Sequence, residues 1–207
     1  MYNNARSGIK ALRSSAVLNT IAGAVYCAAA MFTLFVGRKS ADSGVVLAAF
    51  FILLAAAAGG VAALFLQMKG LARARRDEPL FGTAFTFVIV GIICTVVSVF
   101  TAGTFSNIFS GVNEVATLLA SLYTVLGVYS LALGFDNKRV QSAGKVTTVA
   151  LAVVFALAVA GRIISVFTPA IDFALDAAVS VLNLFGYAVY LTYISRAAKM
   201  CDPGYIG

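Results

Sequence analysis

Six apolar segments of about 20 residues follow one another along this chain, and its basic residues gather in every second gap between them. At 1.5 Å per residue, a helix of about 20 residues spans the roughly 30 Å hydrocarbon core of a bilayer. Only helices and closed barrels satisfy their backbone polar groups in lipid. Because continuous apolar runs are not the alternating strands of a barrel, the sequence predicts an all-α integral membrane protein, a bundle of six transmembrane helices.

The apolar segments occupy most of the 207 residues, of which 61% are hydrophobic and 11% are charged. Soluble domains carry about 25% charged residues, so lipid is expected to cover much of this surface. We expect residues 1–207 to form a single transmembrane domain, with loops near 67–80 and 101–113. The predicted spans are 16–36, 45–66, 81–101, 115–134, 146–167 and 174–195.

The distribution of Lys and Arg predicts the orientation of the bundle. Only Arg38 and Lys39 fall in the loops of one side, whereas the other side holds twelve basic residues: Arg6, Lys10, Arg13, Lys69, Arg73, Arg75, Arg76, Lys138, Arg139, Lys145, Arg196 and Lys199. By the positive-inside rule, both termini are predicted to be cytoplasmic. The net charge of +7 is then explained by topology and by anionic lipid headgroups, so no nucleic-acid partner is expected.

Two local signals and a weak repeat organise the chain further. Asp77 and Pro79 read as the N-cap and first turn of the third helix, and residues 134–137 as a helix stop after the fourth. The segment 97–101 resembles 164–168, which suggests three repeated helical hairpins. Chance similarity among common apolar residues is the alternative interpretation.

Small residues recur at four-residue intervals in three segments: Ala55, Ala56, Gly59, Gly60 and Ala63 in the second, Ala152, Ala156 and Ala160 in the fifth, and Ala24 and Ala28 in the first. Such faces let helix backbones approach closely in lipid. We expect them to pack helices within this chain, and a surplus face would dock a membrane-protein partner or a second copy.

Arg162 is the most unusual charge, because it lies sixteen residues into the fifth predicted span. At that depth it is expected near the outer edge of the hydrocarbon core, from where an Arg side chain can reach the interface. The alternative is an ion pair with Asp172 or Asp176 across the short outer loop, or a charged vestibule for an anionic ligand.

Two polar stripes predict a cavity between helices four, five and six. The stripe on the sixth helix comprises Asp172, Asp176, Ser180, Asn183, Tyr187 and Tyr190. The stripe on the fourth helix comprises Glu114, Thr117, Ser121 and Thr124. Steps of three and four keep each set on one helical face, and polar faces in membranes point to the bundle interior. Interhelical hydrogen bonds of about 0.6 kcal/mol each are the alternative. Ligand-binding or ion-pair candidates are Arg162, Asp172, Asp176, Asn183, Tyr187, Tyr190, Glu114 and Ser121.

A basic loop after the second span holds Lys69, Arg73, Arg75 and Arg76. Near a membrane each charge contributes about 1 kcal/mol to binding anionic lipid, so this loop is a candidate lipid-facing or partner-facing surface. A plain topology signal is the alternative.

The sequence offers few groups for catalysis. It has no histidine, and its cysteines (Cys27, Cys94 and Cys201) are scattered with no CxxC pair. It contains no phosphate-binding glycine loop, GxSxG or HExxH motif. We therefore expect neither an enzyme nor a protein that holds a metal or cofactor.

These patterns leave two classes of function. The first is a small transporter, channel or substrate-binding transport subunit with its polar cavity between helices four to six. The second is a non-catalytic interaction or assembly subunit of a larger membrane complex. Short loops favour a multi-pass protein of the cell membrane, and a bacterial plasma membrane in particular.

Overall fold

In a computed structural model the chain folds into six long α-helices, and the structure describes residues 2–36, 43–101, 104–167 and 172–201. Their bounds are α1 (Asn3–Val36), α2 (Ser43–Ala74), α3 (Leu80–Phe100), α4 (Thr104–Gly134), α5 (Lys138–Phe167) and α6 (Asp172–Met200). We call the end where α1, α3 and α5 begin and the even-numbered helices end the basic end.

The helices form a closed ring. Each packs against its neighbours in chain order, and α1 also packs against α6, so that α1 and α2, α3 and α4, and α5 and α6 are adjacent antiparallel pairs. A few contacts between α4 and α6 narrow the ring on one side. The predicted repeat of three hairpins is compatible with this arrangement and stays a prediction.

Five of the helices, α2 to α6, are long and apolar enough to cross a membrane. Their outer faces carry large exposed apolar side chains, among them Phe51 on α2, Val99 on α3 and Phe185 on α6. Because a soluble protein rarely exposes contiguous apolar surface of this extent, the chain is a polytopic membrane protein. That α1 also crosses, and that the termini are cytoplasmic, stay predictions.

Four helices extend well beyond the spans predicted from hydropathy. α1 begins at Asn3, α2 continues to Ala74, α4 begins at Thr104 and α5 begins at Lys138, so much of the sequence predicted as loop is helical. In α1 the extension is amphipathic: Ala5, Ile9 and Leu12 are fully buried while the basic residues lie outside. Hydropathy averaged over such a segment is low, and it therefore hides a helix that tertiary packing stabilises.

The extensions of α1 and α2 contribute to a packed core at the basic end. The largest fully buried side chains, which come from α1, α2, α3, α4 and α6, are Tyr193, Phe81, Ile9, Leu12, Leu71, Ile194, Val125, Val128 and Thr124. The hydroxyl of Tyr193 donates a hydrogen bond to the backbone carbonyl of Val125 at 3.3 Å and so joins α6 to α4.

The closest approach of α1 and α2 lies in this core. A Cβ atom at Gly8 would stand 2.6 Å from the carbonyl oxygen of Gly70, and one at Gly70 would stand 2.8 Å from that of Gly8. The two backbones touch because neither residue has a side chain, which is how small residues promote helix packing in lipid. The sequence interpretation missed this pair, because both glycines lie outside the predicted apolar spans.

The predicted small-residue faces are used only in part. On α2, Ala56 and Ala63 are buried, whereas a Cβ at Gly59 would meet no atom within 4 Å. Ala24 and Ala28 on α1 are exposed, and so are Ala152, Ala156 and Ala160 on α5. The expectation that all three faces pack helices of this chain is therefore wrong for α1 and α5 in the described structure.

The predicted N-cap role of Asp77 is also wrong. The N-cap residue of α3 is Pro79, which offers no capping side chain, and the backbone N–H of Leu80 donates to the Glu78 carboxylate at 3.3 Å. The carboxylate of Asp77 instead accepts hydrogen bonds from the backbone N–H of Ala5 at 2.7 Å and from the side-chain amide of Asn4 at 3.1 Å. Asp77 thus caps the first turn of α1, which carries unsatisfied N–H groups and a positive dipole end.

The predicted stop after the fourth helix is confirmed. Asp136 has a φ of 50°, and the backbone N–H of Asn137 donates to the carbonyl of Ala132 at 2.9 Å while that of Asp136 donates to Leu133 at 3.1 Å. This pair of bonds is a Schellman motif. The Asn137 side chain then accepts a bond from the N–H of Val140 at 3.1 Å and caps α5.

Candidate functional site

A cavity of about 530 Å³ lies inside the ring and is lined by all six helices. That volume falls within the range of roughly 300–1,000 Å³ typical of small-molecule sites. The cavity is thus wider than the predicted space between helices four to six. Its polar lining comes from every helix except α5: Ser15, Asn19, Gln67, Thr95, Asn113, Glu114, Thr117, Ser121, Asn183, Tyr187 and Tyr190.

The two polar stripes predicted from the sequence supply much of this lining. Glu114 and Ser121 on α4 and Asn183, Tyr187 and Tyr190 on α6 all line the cavity. Helical periodicity places each set on one face, although Asn183 and Tyr187 keep substantial exposure while Tyr190 is more buried. Five of the predicted candidates therefore share one space, and their role in binding stays a prediction.

The remaining candidates are Arg162, Asp172 and Asp176. Their backbones belong to α5 and α6, but their side chains lie outside the described residues. The predicted ion pair and outer vestibule stay predictions.

The basic-loop candidates differ in part from the prediction. Lys69 and Arg73 belong to α2, so the loop is shorter than expected. Arg73 donates a hydrogen bond to the hydroxyl of Ser7 at 2.8 Å, and the Arg75 guanidinium lies 5.2 Å from the centre of the Phe85 ring. These two charges therefore contact α1 and α3, while Arg76 is exposed.

Amide side chains in the cavity were missed by the sequence interpretation. Asn19, Gln67 and Asn113 contribute to the lining, and two of them are in helical register with lining hydroxyls, Asn19 four residues after Ser15 and Asn113 four residues before Thr117. The available signal was their rarity, since polar side chains in membrane helices usually face the bundle interior. The Asn113 side chain also packs closely on Gly91, because a Cβ atom at Gly91 would stand 2.9 Å from the Asn113 side-chain oxygen.

Several hydroxyl groups in the cavity lining donate hydrogen bonds to backbone carbonyls of their own or a neighbouring helix. Ser15 donates to the carbonyl of Ala63 at 2.7 Å, Thr95 to that of Gly91 at 2.9 Å, and Ser121 to that of Thr117 at 3.0 Å. Their oxygen lone pairs remain as acceptors. Together with the amides, which both donate and accept, they line the space with mixed hydrogen-bonding groups.

The hydroxyl of Tyr190 is the exception among the polar atoms of the lining. Its oxygen is buried and makes no hydrogen bond of good geometry within the described residues, and the Thr124 side chain is its polar neighbour. Leaving a buried hydroxyl unsatisfied costs about 1–3 kcal/mol. A hydrogen-bonding solute in the cavity would remove that cost, so Tyr190 points to a polar occupant.

The charged groups of the cavity lining are of one sign. Among the described lining residues Glu114 is the single carboxylate, and none is Lys or Arg. Within the described ranges, three or more His, Cys, Asp or Glu side chains nowhere cluster as a metal site would require. The lining is therefore suited to neutral or cationic polar groups.

A packed layer closes the cavity toward the basic end. About one turn below the lining, Leu12, Leu71, Ala84, Val125 and Tyr193 are each at most 1% exposed. They come from five different helices, and Thr147 of α5 is buried at the same level. The space therefore does not continue as an open pore to the basic end.

Comparison of this chain with protein-family models, with curated proteins and with solved structures gave no match. Its functional interpretation therefore rests on the geometry and chemistry of the cavity and of the surfaces around it.

Proposed function

We propose that this chain binds a small polar solute in the cavity between its helices and acts as a transporter or as the substrate-binding subunit of a transport system. The polar cavity of ligand size carries the proposal, and the buried hydroxyl of Tyr190 in its lining, which makes no protein hydrogen bond of good geometry, supports it. A structure held together by interhelical bonds alone would satisfy such a group internally.

The chemistry of the lining defines the solute class. Amides, hydroxyl acceptors and one carboxylate favour a neutral or positively charged molecule rich in N–H or O–H donors. The packed layer at the basic end supports binding with access from one side at a time, and it argues against a constantly open channel. A non-catalytic role is part of this proposal.

The test compares two substitutions on α6. Asn183→Leu changes a lining residue with little change in volume, whereas Val181→Leu alters the exposed outer face. Both variants would be purified from native membranes in mild detergent, and co-purified small molecules would be identified by mass spectrometry. We expect a polar solute with the wild type and Val181→Leu, and its loss from Asn183→Leu.

The reconstituted protein then provides the decisive measurement. Flux of the identified solute into vesicles should fall at least tenfold in Asn183→Leu and stay unchanged in Val181→Leu. Equal solute content and equal flux in the two variants would reject the cavity as the binding site.

A second candidate function is an assembly subunit of a membrane complex. It is favoured by the exposed small residues Ala152, Ala156 and Ala160, which form an outward face on α5 suited to close helix packing. Ala156→Leu should release a stoichiometric partner or a second copy in mild detergent, whereas Val153→Leu on the neighbouring exposed face should not. A monodisperse monomer from native membranes would contradict this candidate.

We also propose that the basic end faces the cytoplasm and that the protein resides in a plasma membrane of bacterial type. The clustering of Lys and Arg at this end supports the orientation through the positive-inside rule. The short connections between the helices are consistent with the compartment.

A further inference from the structure

A second concave surface lies on the outside of the bundle, between the first turns of α5 and the last turns of α6. We call it the α5–α6 groove. It has a volume of about 1110 Å³, and its residues are separate from those of the central cavity. Four basic side chains line its mouth: Lys138, Arg139, Arg196 and Lys199.

The four basic residues lie on α5 and α6, two helices that are not connected to each other at this end. Within the described part of the chain, none of the four forms an ion pair or a side-chain hydrogen bond, and the groove lining contains no carboxylate. Arg73 and Arg75 at the same end differ, since Ser7 and the Phe85 ring engage them. The groove therefore concentrates positive charge that the described residues around it leave uncompensated.

Away from the mouth the groove lining becomes mainly apolar, with Thr147 and Thr192 as its hydroxyl residues. Val146, Phe185, Ala188 and Val189 line it, with Val146 66% and Phe185 56% exposed. Phe185 is fourteen residues from Lys199, about 21 Å along α6. One leaflet of the hydrocarbon core is about 15 Å thick, so the apolar part of the groove covers the depth of an acyl chain.

Charge and shape together specify an amphiphile. The basic residues sit at helix ends, where lipid headgroups lie, and the exposed hydroxyl of Ser142 adds a donor beside them. A soluble anion would use the mouth but leave the apolar part uncovered. An anionic glycerophospholipid would use both, as lipid headgroups do in basic pockets between membrane helices.

We propose that the α5–α6 groove is a binding site for an anionic glycerophospholipid such as phosphatidylglycerol. The lipid phosphate contacts Arg139, Arg196 and the two lysines, and one acyl chain lies along Val146 and Phe185. This inference is independent of the solute proposed for the central cavity.

Because the chain contains no tryptophan, lipid binding in the groove can be measured by the fluorescence of an introduced tryptophan. Phe185→Trp places a single fluorescent reporter in the groove, and Phe50→Trp places one on the exposed face of α2. Each protein would be reconstituted in phosphatidylcholine vesicles containing a small fraction of brominated phosphatidylglycerol or brominated phosphatidylcholine. We expect the groove reporter to be quenched preferentially by the anionic lipid, and the α2 reporter to be quenched equally by both.

Charge removal then tests the mouth of the groove. Adding Arg139→Gln and Arg196→Gln to the Phe185→Trp protein should reduce the preference for phosphatidylglycerol by roughly tenfold or more, since each basic residue near a membrane contributes several-fold to anionic lipid binding. The matched control, Arg13→Gln with Arg76→Gln, removes two exposed charges elsewhere at the basic end and should retain the preference. Both pairs are surface changes, and elution as the wild type verifies folding.

Three results would overturn the proposal. The first is equal quenching of the groove reporter by both lipids, and the second is an equal loss of preference in the groove and control pairs. The third is removal of the preference by excess inorganic phosphate at constant ionic strength, which would assign the mouth to a soluble anion.

Discussion

The contact between Gly8 and Gly70 makes a quantitative prediction about what holds α1 against α2. In Gly8→Ala the new Cβ would stand 2.6 Å from the Gly70 carbonyl oxygen, 2.8 Å from the Ala74 Cβ and 2.9 Å from the Ala74 nitrogen. An ordinary carbon–oxygen contact is about 3.3 Å, so the helices have to separate by roughly 0.7 Å. No flexible side chain can absorb the change, because the nearest atoms are backbone.

The expected free-energy change follows from two opposing effects. Overpacking of this kind costs about 1–3 kcal/mol, and a gap of 0.5–1 Å elsewhere in the interface loses roughly a quarter to a half of its dispersion energy. Alanine recovers up to about 1 kcal/mol of helix propensity. We expect Gly8→Ala to lower the free energy of unfolding by about 1–2 kcal/mol.

Gly59→Ala is the matched control, because its Cβ would meet no atom within 4 Å. It should leave stability unchanged or raise it by up to about 1 kcal/mol. At roughly 2–4 °C per kcal/mol for a chain of this length, a difference of about 1–3 kcal/mol should separate the two variants in Tm by roughly 2–12 °C.

A thiol-reactive fluorogenic dye provides the assay in detergent. With Cys27 and Cys201 replaced by serine, labelling reports exposure of Cys94, which is 6% exposed in the folded protein. If Gly8→Ala melts at or above the temperature of Gly59→Ala, the close backbone approach does not stabilise the α1–α2 pair, and the reasoning fails.

Three further predictions concern the basic end. Asp77→Ala removes the cap of α1 and should lower the free energy of unfolding by about 1 kcal/mol. Asp136→Gly relieves a φ of 50° and should raise the free energy of unfolding by up to about 1 kcal/mol. Thermal melts in which Asp77→Ala is the more stable of the two variants would contradict both cap assignments. Tyr193→Phe removes the 3.3 Å hydrogen bond to the backbone carbonyl of Val125 and should lower the free energy of unfolding by about 1 kcal/mol. A melting temperature equal to that of the wild type would show that this bond does not stabilise the fold. In a cysteine-free background, Asp136→Cys should react with an impermeant maleimide only from the cytoplasmic side and Gly111→Cys only from the opposite side, and the reverse labelling would invert the proposed topology.

Much of the fold was predictable because lipid simplifies the problem. Apolar runs of about 20 residues can only be helices in a bilayer, and the six predicted spans coincide with six helices almost to the residue at several ends. The helix stop at 134–137 was also predictable, since the left-handed residue and the following Asn cap belong to one short segment. Local sequence contains all the interactions that these features need.

The candidate site was predictable only in part. The stripes with Glu114 and Asn183 follow from helical periodicity, which a single helix reveals. Asn19 and Gln67 escaped because their importance depends on which neighbouring helix each one faces, and that is a property of the ring.

The sequence by itself determined the six helices, several of their ends and the gathering of charge at alternate connections, because all three follow from hydrophobicity and local periodicity. The tertiary structure alone decided which surfaces meet. It made the Asp77 carboxylate a cap of α1 rather than of α3, and it placed the closest α1–α2 contact at two glycines within a charged region. It also left the Ala152, Ala156 and Ala160 face outside the bundle. The physical reason is that lipid makes every apolar face nearly equivalent, so close packing and buried hydrogen bonds, rather than hydrophobicity, select the neighbours.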